Sequence, residues 1–452
     1  MSIEAPALSV SSLIGQSPLS RFQIRTIALL GLVTVLDGFD AQTIGYLAPS
    51  IAESTHIPIH TFGPIFSASL VGLMIAAMIT GPVADRWGRK WPIILCTLSL
   101  AVFSFLTGFA TSFNQLLIFR FLTGFGLGGA MPNVISLATE YSPKRLLPIV
   151  VSVLISGMPL GGLLCGLVSS SLILTWGWRS VFYTGGAVPL AISLLLVLVL
   201  PESIEFLVAQ GKDPEDIGNI LERISPGLAA APISLAPVLG DQRPSRAPVK
   251  DLFTEGRAVG TLLLWFPFFM SLLVIYFIVS WLPALFRDSG MAISTGVRAA
   301  AFFSFGGIFG SLAEGLLIGG FGAYRILMAE FGLAGLLIGA LAFVPSSFGL
   351  AVTLTFALGF VVMGAQAGLN VQAAVFYPMS IRSTGIGWGL AIGRIGSIVG
   401  PLIGGVLLSN GWMPRQLLFF GAVCAISAWL AIFLSSFSRR FPNAYSAQLH
   451  SP

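Results

Sequence analysis

Charged side chains lie inside long apolar stretches of this sequence, where ionised groups are costly and usually have a function. Asp37 and Asp40 interrupt the first apolar stretch, Arg120 the fourth and Arg394 the eleventh. The i, i+3 spacing of the aspartates places both carboxyl groups on one face of a helix. Burial favours the neutral form of a carboxyl group, so it can take up and release a proton. A buried guanidinium can bind a carboxylate through two parallel hydrogen bonds. The four residues therefore predict proton exchange and carboxylate recognition in an apolar medium.

Each of these residues also has a structural interpretation, which the sequence alone leaves open. The two aspartates would then form static salt bridges, Arg394 would pair with another helix, and Arg120 would extend its side chain to the membrane surface. Asp37 lies roughly 16 Å along its helix. That position is close to the middle of a bilayer whose hydrocarbon core is about 30 Å thick.

The composition predicts an all-α membrane protein. Of 452 residues, 55% are hydrophobic and 9% are charged, whereas soluble domains average about 25% charged residues. Runs of about 20 apolar residues are long enough to span a bilayer as helices. We predict twelve such helices, at residues 26–48, 62–84, 91–111, 115–137, 147–174, 180–200, 259–286, 297–320, 325–344, 348–376, 384–409 and 416–437.

A long polar segment divides these helices into two groups of six. The predicted organisation is a cytosolic tail at 1–25, a six-helix bundle at 26–200, a cytosolic central loop at 201–258, a second six-helix bundle at 259–437, and a cytosolic tail at 438–452.

Lysine and arginine in the predicted loops set the orientation. With the N-terminus inside, seventeen of them face the cytosol and four face the outside, which is the asymmetry expected of a cell (inner) membrane protein. The net charge of +5 is explained by this asymmetry. No basic cluster with interleaved aromatic residues occurs, so no nucleic-acid partner is expected.

The loop between the second and third stretches reads G-x-x-x-D-R-x-G-R-K over residues 81–90. This pattern resembles the signature loop of the major facilitator superfamily, and the run R-F-x-x-G-x-G-x-G from Arg120 resembles that family's fourth-helix motif. The resemblance implies two six-helix halves with the substrate between them near the midplane. It also implies that the loop latches the halves in one conformation. The candidate latch residues in this loop are Gly81, Asp85, Arg86, Gly88 and Arg89.

Two further motifs resemble the aromatic acid:proton symporter family within that superfamily. They are D-G-F-D at residues 37–40 and Y-P-x-x-I-R-x-T-G-x-G-W followed by G-R-x-G over residues 377–396. The resemblance implies that Asp37 or Asp40 carries the proton and that Arg394 or Arg120 receives the substrate carboxylate.

Glu140 and Arg382 match the same family and are expected to act at a cytosolic gate. The alternatives are a helix-end contact for Glu140 and a topology anchor for Arg382.

A few polar side chains in otherwise apolar spans are candidates for substrate specificity, because they can hydrogen-bond groups on an aromatic ring. They are Tyr276, Gln366, Asn370 and Gln372. Two intramembrane acids have no assigned role. Glu314 is the next candidate for a proton site after the aspartates, and the sequence suggests no function for Glu330.

We therefore predict a proton-coupled importer of small aromatic carboxylates of the benzoate and hydroxybenzoate class, serving aromatic catabolism and acting as a monomer in the lipid bilayer. A symporter for another organic acid, such as an aliphatic dicarboxylate, and a non-transporting membrane sensor are the alternatives. The sequence offers no nucleophile–base pair, and neither its three histidines nor its three cysteines have metal-ligand spacing. We expect no enzymatic activity, no cofactor and no metal.

The charge asymmetry predicts that reporter tags at the N-terminus, near Pro232 and at the C-terminus are all cytosolic. A tag-accessibility assay in intact and permeabilised cells measures this. A tag at Pro232 that is accessible from outside would contradict the division into two six-helix halves.

Overall fold

The computed structural model describes residues 19–211, 214–224, 249–343 and 347–437, and these ranges are helical almost throughout. Within them, twelve helices are long and apolar enough to span a membrane, as the sequence predicts. The helices are α1 Arg21–Thr55, α2 Phe62–Trp87, α3 Lys90–Thr107, α4 Phe113–Glu140, α5 Leu147–Trp176, α6 Trp178–Val199, α7 Ala258–Asp288, α8 Ile293–Phe321, α9 Ala323–Leu341, α10 Phe348–Phe376, α11 Arg382–Ser409 and α12 Pro414–Phe437.

Helix α1 begins before its apolar stretch, because polar residues at its N-terminal end cap it. Ser20 accepts a hydrogen bond from the backbone N–H of Gln23, whose side chain accepts one in return from the N–H of Ser20. This reciprocal pair satisfies backbone donors that the first turn of a helix leaves free. As a result α1 begins before the predicted residue 26.

Part of the predicted central loop is also helical. Two short helices, Ile204–Ala209 and Pro214–Ile224, follow α6, and a short 3₁₀ turn at Val249–Phe253 precedes α7. The predicted tails at 1–25 and 438–452 lie mostly or wholly outside the described residues, as does the segment 225–248.

Equivalent tight turns join α2 to α3 and α8 to α9. Each turn contains a glycine with a positive φ, 86° at Gly88 and 85° at Gly322. A side chain rarely adopts this backbone conformation, whereas glycine does so at no steric cost. The two six-helix groups therefore place corresponding turns at corresponding positions, as internal repeats do.

Glycines also allow the helices within each half to pack backbone against backbone. A Cβ atom at Gly38 of α1 would overlap the backbone of Met158 on α5. In the second half, a Cβ at Gly359 of α10 would overlap the backbone of Phe303 on α8. Such close approach is a common way of packing helices in a membrane, where hydrophobic burial does not drive association.

The two halves contact each other away from the end of the bundle that carries Arg86, Arg89 and Lys90, which we call the basic end. Near the opposite end, the guanidinium of Arg287 on α7 lies 2.7 Å from the carboxylate of Glu53 on α1.

Nearer the middle, the hydroxyl of Ser67 on α2 donates to the carbonyl oxygen of Ile398 on α11 at 2.7 Å. The hydroxyl of Ser304 on α8 donates to the side-chain oxygen of Gln42 on α1 at 3.0 Å. These contacts close the opposite end, so the space between the halves opens toward the basic end.

Candidate functional site

Arg120 and Asp40 form an ion pair in the interior of the first half. Their side chains are 0% and 1% exposed. Nη2 of Arg120 lies 2.8 Å from Oδ2 of Asp40, and Nη1 donates to Oδ1 at 3.2 Å. Arg120 also donates to the backbone oxygen of Asp40 and, through Nε, to the hydroxyl of Ser69 on α2, both at 3.2 Å. The hydroxyl of Ser104 on α3 donates to Oδ1 of Asp40 at 2.7 Å. Side chains from α1, α2, α3 and α4 therefore meet at this pair.

Asp37 has different surroundings although it lies only one turn from Asp40. Its side chain is 5% exposed and accepts no hydrogen bond or ion pair from any residue that the structure describes. The thiol of Cys96 on α3 is among its neighbours. A buried carboxyl group without a counter-charge must carry a proton, contact water or receive a cation. The spacing of the aspartates thus places them on one helix face, but among the described residues only Asp40 has a counter-charge and hydrogen-bond donors.

Arg394 is the second intramembrane arginine, and its guanidinium has no partner among the described residues. The hydrogen bond recorded at this residue is made by its backbone oxygen, which accepts from Ser397. Arg394 is half-buried and lies one turn from Ile398, whose carbonyl contacts α2 of the first half. Four residues along an α-helix return to the same face. Arg394 therefore faces the space between the halves, just on the basic side of their contact.

A small central cavity lies beside the ion pair, between α1, α2 and α4 of the first half and α7 of the second. Ser69, which binds Arg120, lines it together with Tyr276, one of the predicted specificity residues. The rest of the lining is apolar, from Ala41, Ile44, Gly45, Phe66, Leu70, Leu73, Leu127 and Val279, apart from Ser280.

The three polar candidates on α10 do not lie together. Gln366 and Asn370 share one face of the helix, and the side-chain nitrogen of Asn370 donates to the backbone oxygen of Gln366 at 3.1 Å. The side-chain oxygens of both residues are buried without a hydrogen-bond donor in the described part of the chain. Gln372 is on another face, in a separate small pocket with Tyr324 and Ser435.

Glu202 is a functional candidate that the sequence did not single out. One of its carboxylate oxygens accepts hydrogen bonds from the backbone N–H groups of Arg89 at 2.7 Å, Lys90 at 3.0 Å and Ser203 at 2.8 Å. A Cβ at Gly88 would overlap this carboxylate. The signature loop therefore needs glycine at residue 88 for two reasons, a positive φ and room for Glu202.

Glu140 belongs to the same network. It forms an ion pair with the guanidinium of Arg89 and accepts a hydrogen bond from the hydroxyl of Ser203 at 2.7 Å. Burial lowers the pKa of Arg89, while Glu205, Asp85 and Glu202 oppose that effect. The contacts join the α2–α3 loop, the end of α4 and the segment after α6, all within the first half.

The remaining gate candidates stay apart in this conformation. Asp85 and Arg86 are exposed and make no hydrogen bond or ion pair within the described ranges, and Gly81 lies in open space. Arg382, on the second half, donates from Nε to the carbonyl oxygen of Tyr377 at 3.3 Å. The structure therefore does not bring Arg382 to Glu140 or to the signature loop.

Comparison with known proteins places this arrangement in a family. The sequence profile of the Major Facilitator Superfamily matches residues 30–393. The chain is 36% identical over 412 residues to the 4-hydroxybenzoate transporter PcaK of Pseudomonas putida, which covers 91% of this chain and 92% of that protein. It is 36% identical over 437 residues to the gallate transporter of Pseudomonas putida, with 97% of both chains covered.

A solved structure shares the fold. The crystal structure of "A Bacterial Homolog to Human Lysosomal Transporter, Spinster, in Inward-facing And Occupied Conformation" aligns with a TM-score of 0.69 and 18% sequence identity. The alignment covers 94% of this chain and 98% of that one.

The ion pair predicts a specific pattern of stability. Asp40→Asn or Arg120→Gln alone leaves one buried charge without its partner, so each should destabilise the folded protein by about 3–5 kcal/mol. The double variant removes both charges and should recover most of that loss. Thermal unfolding of the purified protein measures all three. A loss in the double variant equal to the sum of the two single losses would contradict the pairing.

Proposed function

We propose, from the premise that this chain belongs to the Major Facilitator Superfamily, that it imports a hydroxylated aromatic carboxylate together with a proton. The chain is a multi-pass membrane transporter and not an enzyme. The observation that carries the proposal is the contrast between its two intramembrane arginines. Arg120 is fully paired with Asp40, whereas Arg394 faces the opening between the halves without a partner in the described ranges.

Arg394 is the proposed site for the substrate carboxylate. A planar guanidinium forms two parallel hydrogen bonds to a carboxylate, and these bonds are strong where water is excluded. Arg120 would then hold α1 in place rather than touch substrate, because its side chain is 0% exposed and already makes four hydrogen bonds.

The aromatic ring is proposed to lie against the apolar lining of the central cavity, which suits a ring better than a hydrated aliphatic chain. The cavity is small in this conformation and must widen to admit the ring. Tyr276 lies in that lining. Gln366 and Asn370 have side-chain oxygens that lack donors in the described part of the chain. Phenolic hydroxyl groups would supply such donors. The 4-hydroxybenzoate and gallate named for two relatives both carry them.

Asp37 is the proposed proton carrier, because the carboxylate oxygens of Asp40 already accept hydrogen bonds from Arg120 and Ser104. Protonation neutralises the charge of Asp37, which is buried on α1 without an ion-pair partner among the described residues. Substrate bound at Arg394 neutralises the unpaired charge on α11. With both charges neutralised, the two halves can close around the site at a lower electrostatic cost.

The basic end is proposed to face the cytosol, in keeping with the excess of arginine and lysine there. In this orientation the structure is open to the inside. Asp85 is free to pair with Arg382 when the halves close at the basic end, and that contact would make the signature loop a latch. Glu140 and Glu202 would hold the loop in shape in both conformations.

Arg394→Ala should weaken substrate binding by roughly a thousandfold, because a carboxylate would be left buried without its cation. Arg394→Lys should recover only part of the affinity, because an ammonium group cannot form the two-pronged contact. Isothermal titration with 4-hydroxybenzoate, and with its uncharged amide, measures this.

The matched control is Arg298→Ala, which removes an exposed arginine from α8 and should bind normally. Equal binding of the acid and the amide, or normal binding by Arg394→Ala, would remove the carboxylate role from Arg394. Preferential binding of an aliphatic dicarboxylate would identify a different substrate class.

Asp37→Asn should abolish uphill accumulation of substrate driven by an inward proton gradient, because the asparagine cannot release a proton. It should retain substrate exchange between proteoliposome interior and exterior, which needs no net proton movement. Uptake and counterflow assays in proteoliposomes separate the two activities. Full accumulation by this variant, still dependent on external pH, would move the proton site elsewhere.

A further inference from the structure

Two acidic side chains are buried in the second half, away from the proposed transport site. Glu314 lies on α8 and Glu330 on α9, and their relative exposures are 1% and 6%. All four carboxylate oxygens are buried and have no hydrogen-bond donor among the described residues. An ionised carboxylate in such surroundings loses its hydration without compensation, which costs far more free energy than burying a neutral acid.

The two carboxyl groups lie together. A Cβ at Gly364 of α10 would meet an oxygen of both Glu330 and Glu314, and a Cβ at Gly368 would meet the other oxygen of Glu314. The two side chains are within hydrogen-bonding reach of each other. The glycines of α10 therefore provide the space in which the pair sits.

The first half contains the corresponding position with neutral side chains. There, a Cβ at Gly129 of α4 would meet Thr80 of α2 and Cys96 of α3. Thr80 and Glu314 are the same number of residues apart as Cys96 and Glu330. Gly88 and Gly322, the glycines of the two equivalent turns, are also that number of residues apart. Helix packing at this position is thus compatible with small neutral residues, so packing does not explain the two acids.

No counter-charge faces the pair from the described elements packed around it. On α8 and α9 the other ionisable residues are Arg298 near the opposite end, and Tyr324 and Arg325 at the start of α9. α10 carries no ionisable side chain, and α12 carries only Arg415 and Cys424 within its described range. The closest of these along the chain, Arg325, is exposed.

A proton suits this site better than a metal ion. Calcium takes six to eight oxygen ligands and magnesium an octahedral set, while the pair offers two carboxylates and no third ligand residue. No group of three or more metal-binding side chains exists in the described ranges. One proton, by contrast, converts two repelling carboxylates into an acid that donates a hydrogen bond to its neighbour.

We propose that Glu314 and Glu330 form a buried carboxyl pair that binds one proton, shared between them, independently of the transported substrate. The O–H of one acid donates to the carboxylate of the other, and the proton comes from water at the basic end. Each residue lies seven positions from the turn that joins α8 to α9, or about 10 Å along its helix. The site is separate from Asp37 and goes beyond the transport mechanism proposed above.

The proposal has a definite consequence for stability. The folded protein holds a proton that the unfolded chain releases at neutral pH, so stability should fall as pH rises. For one such proton, the ratio of folded to unfolded protein falls about tenfold for each pH unit over that range. Glu330→Gln should remove this dependence, because its amide donates to Glu314 at every pH.

The test compares wild type, Glu330→Gln and Glu314→Gln by unfolding the purified full-length protein, without substrate, from mildly acidic to mildly alkaline pH. Glu255→Gln is the matched control, since it removes an exposed acid from the loop before α7 and should keep the wild-type pH dependence. Asp37 is present in every protein, so its contribution cancels. A failure of the transport mechanism would not affect the result.

In both glutamine variants, the pH dependence of stability should be weaker by the contribution of one bound proton, and in Glu255→Gln it should be unchanged. Identical pH profiles in wild type and both variants would overturn the proposal. So would stabilisation of the wild type by sodium or potassium at alkaline pH, which would identify a cation site. Failure of both variants to fold would also contradict it, because glutamine preserves the shape and the hydrogen bond of the protonated acid.

Discussion

The buried ion pair between Arg120 and Asp40 is the constraint on which the proposed site depends. It sits where α1, α2, α3 and α4 converge, and each of these helices supplies a partner. Desolvating two ions costs several kcal/mol apiece, and only a fully hydrogen-bonded geometry offsets this cost. With Asp40 committed to Arg120, Asp37 is left as the carboxyl group on α1 whose charge can change without breaking a contact. In the proposed mechanism, the pair thereby separates a structural acid from the proton-carrying one within a single helical turn.

The two halves share a backbone plan but use it for different chemistry. The equivalent turns at Gly88 and Gly322 have nearly the same φ, yet the loop after α2 is built around Glu202 and Glu140, and the turn after α8 lacks the corresponding charges. Farther from these turns, two further positions correspond between the halves. The first half has Thr80 and Cys96 there, and the second half has Glu314 and Glu330. Because the backbone packing is conserved between the halves, these side chains can differ without altering the fold.

The sequence predicted the fold well because hydropathy and glycine spacing are local properties. It gave twelve spans, and it identified the residues of the α1 motif. It could not assign partners, because partners come from helices distant along the chain. Thus the sequence leaves Arg120 open as a substrate ligand, whereas the structure pairs it with Asp40. The sequence also groups Gln372 with Gln366 and Asn370, although Gln372 lines a different pocket. Glu202 lies outside the motifs that the sequence offers, because its contacts are made with backbone groups of the distant α2–α3 loop. Glu314 and Glu330 lie on two helices that none of these motifs covers.

The central claim, that Asp37 rather than Asp40 exchanges the proton, can be measured directly by pH-difference infrared spectroscopy of the protein in lipid. A protonated carboxylic acid has a C=O stretching band that a carboxylate lacks. The account predicts that one component of this band appears on acidification in the wild type and in the Asp40→Asn, Arg120→Gln double variant, and is missing in Asp37→Asn. Loss of that component in the double variant, with its retention in Asp37→Asn, would show that Asp40 carries the proton and would contradict the account.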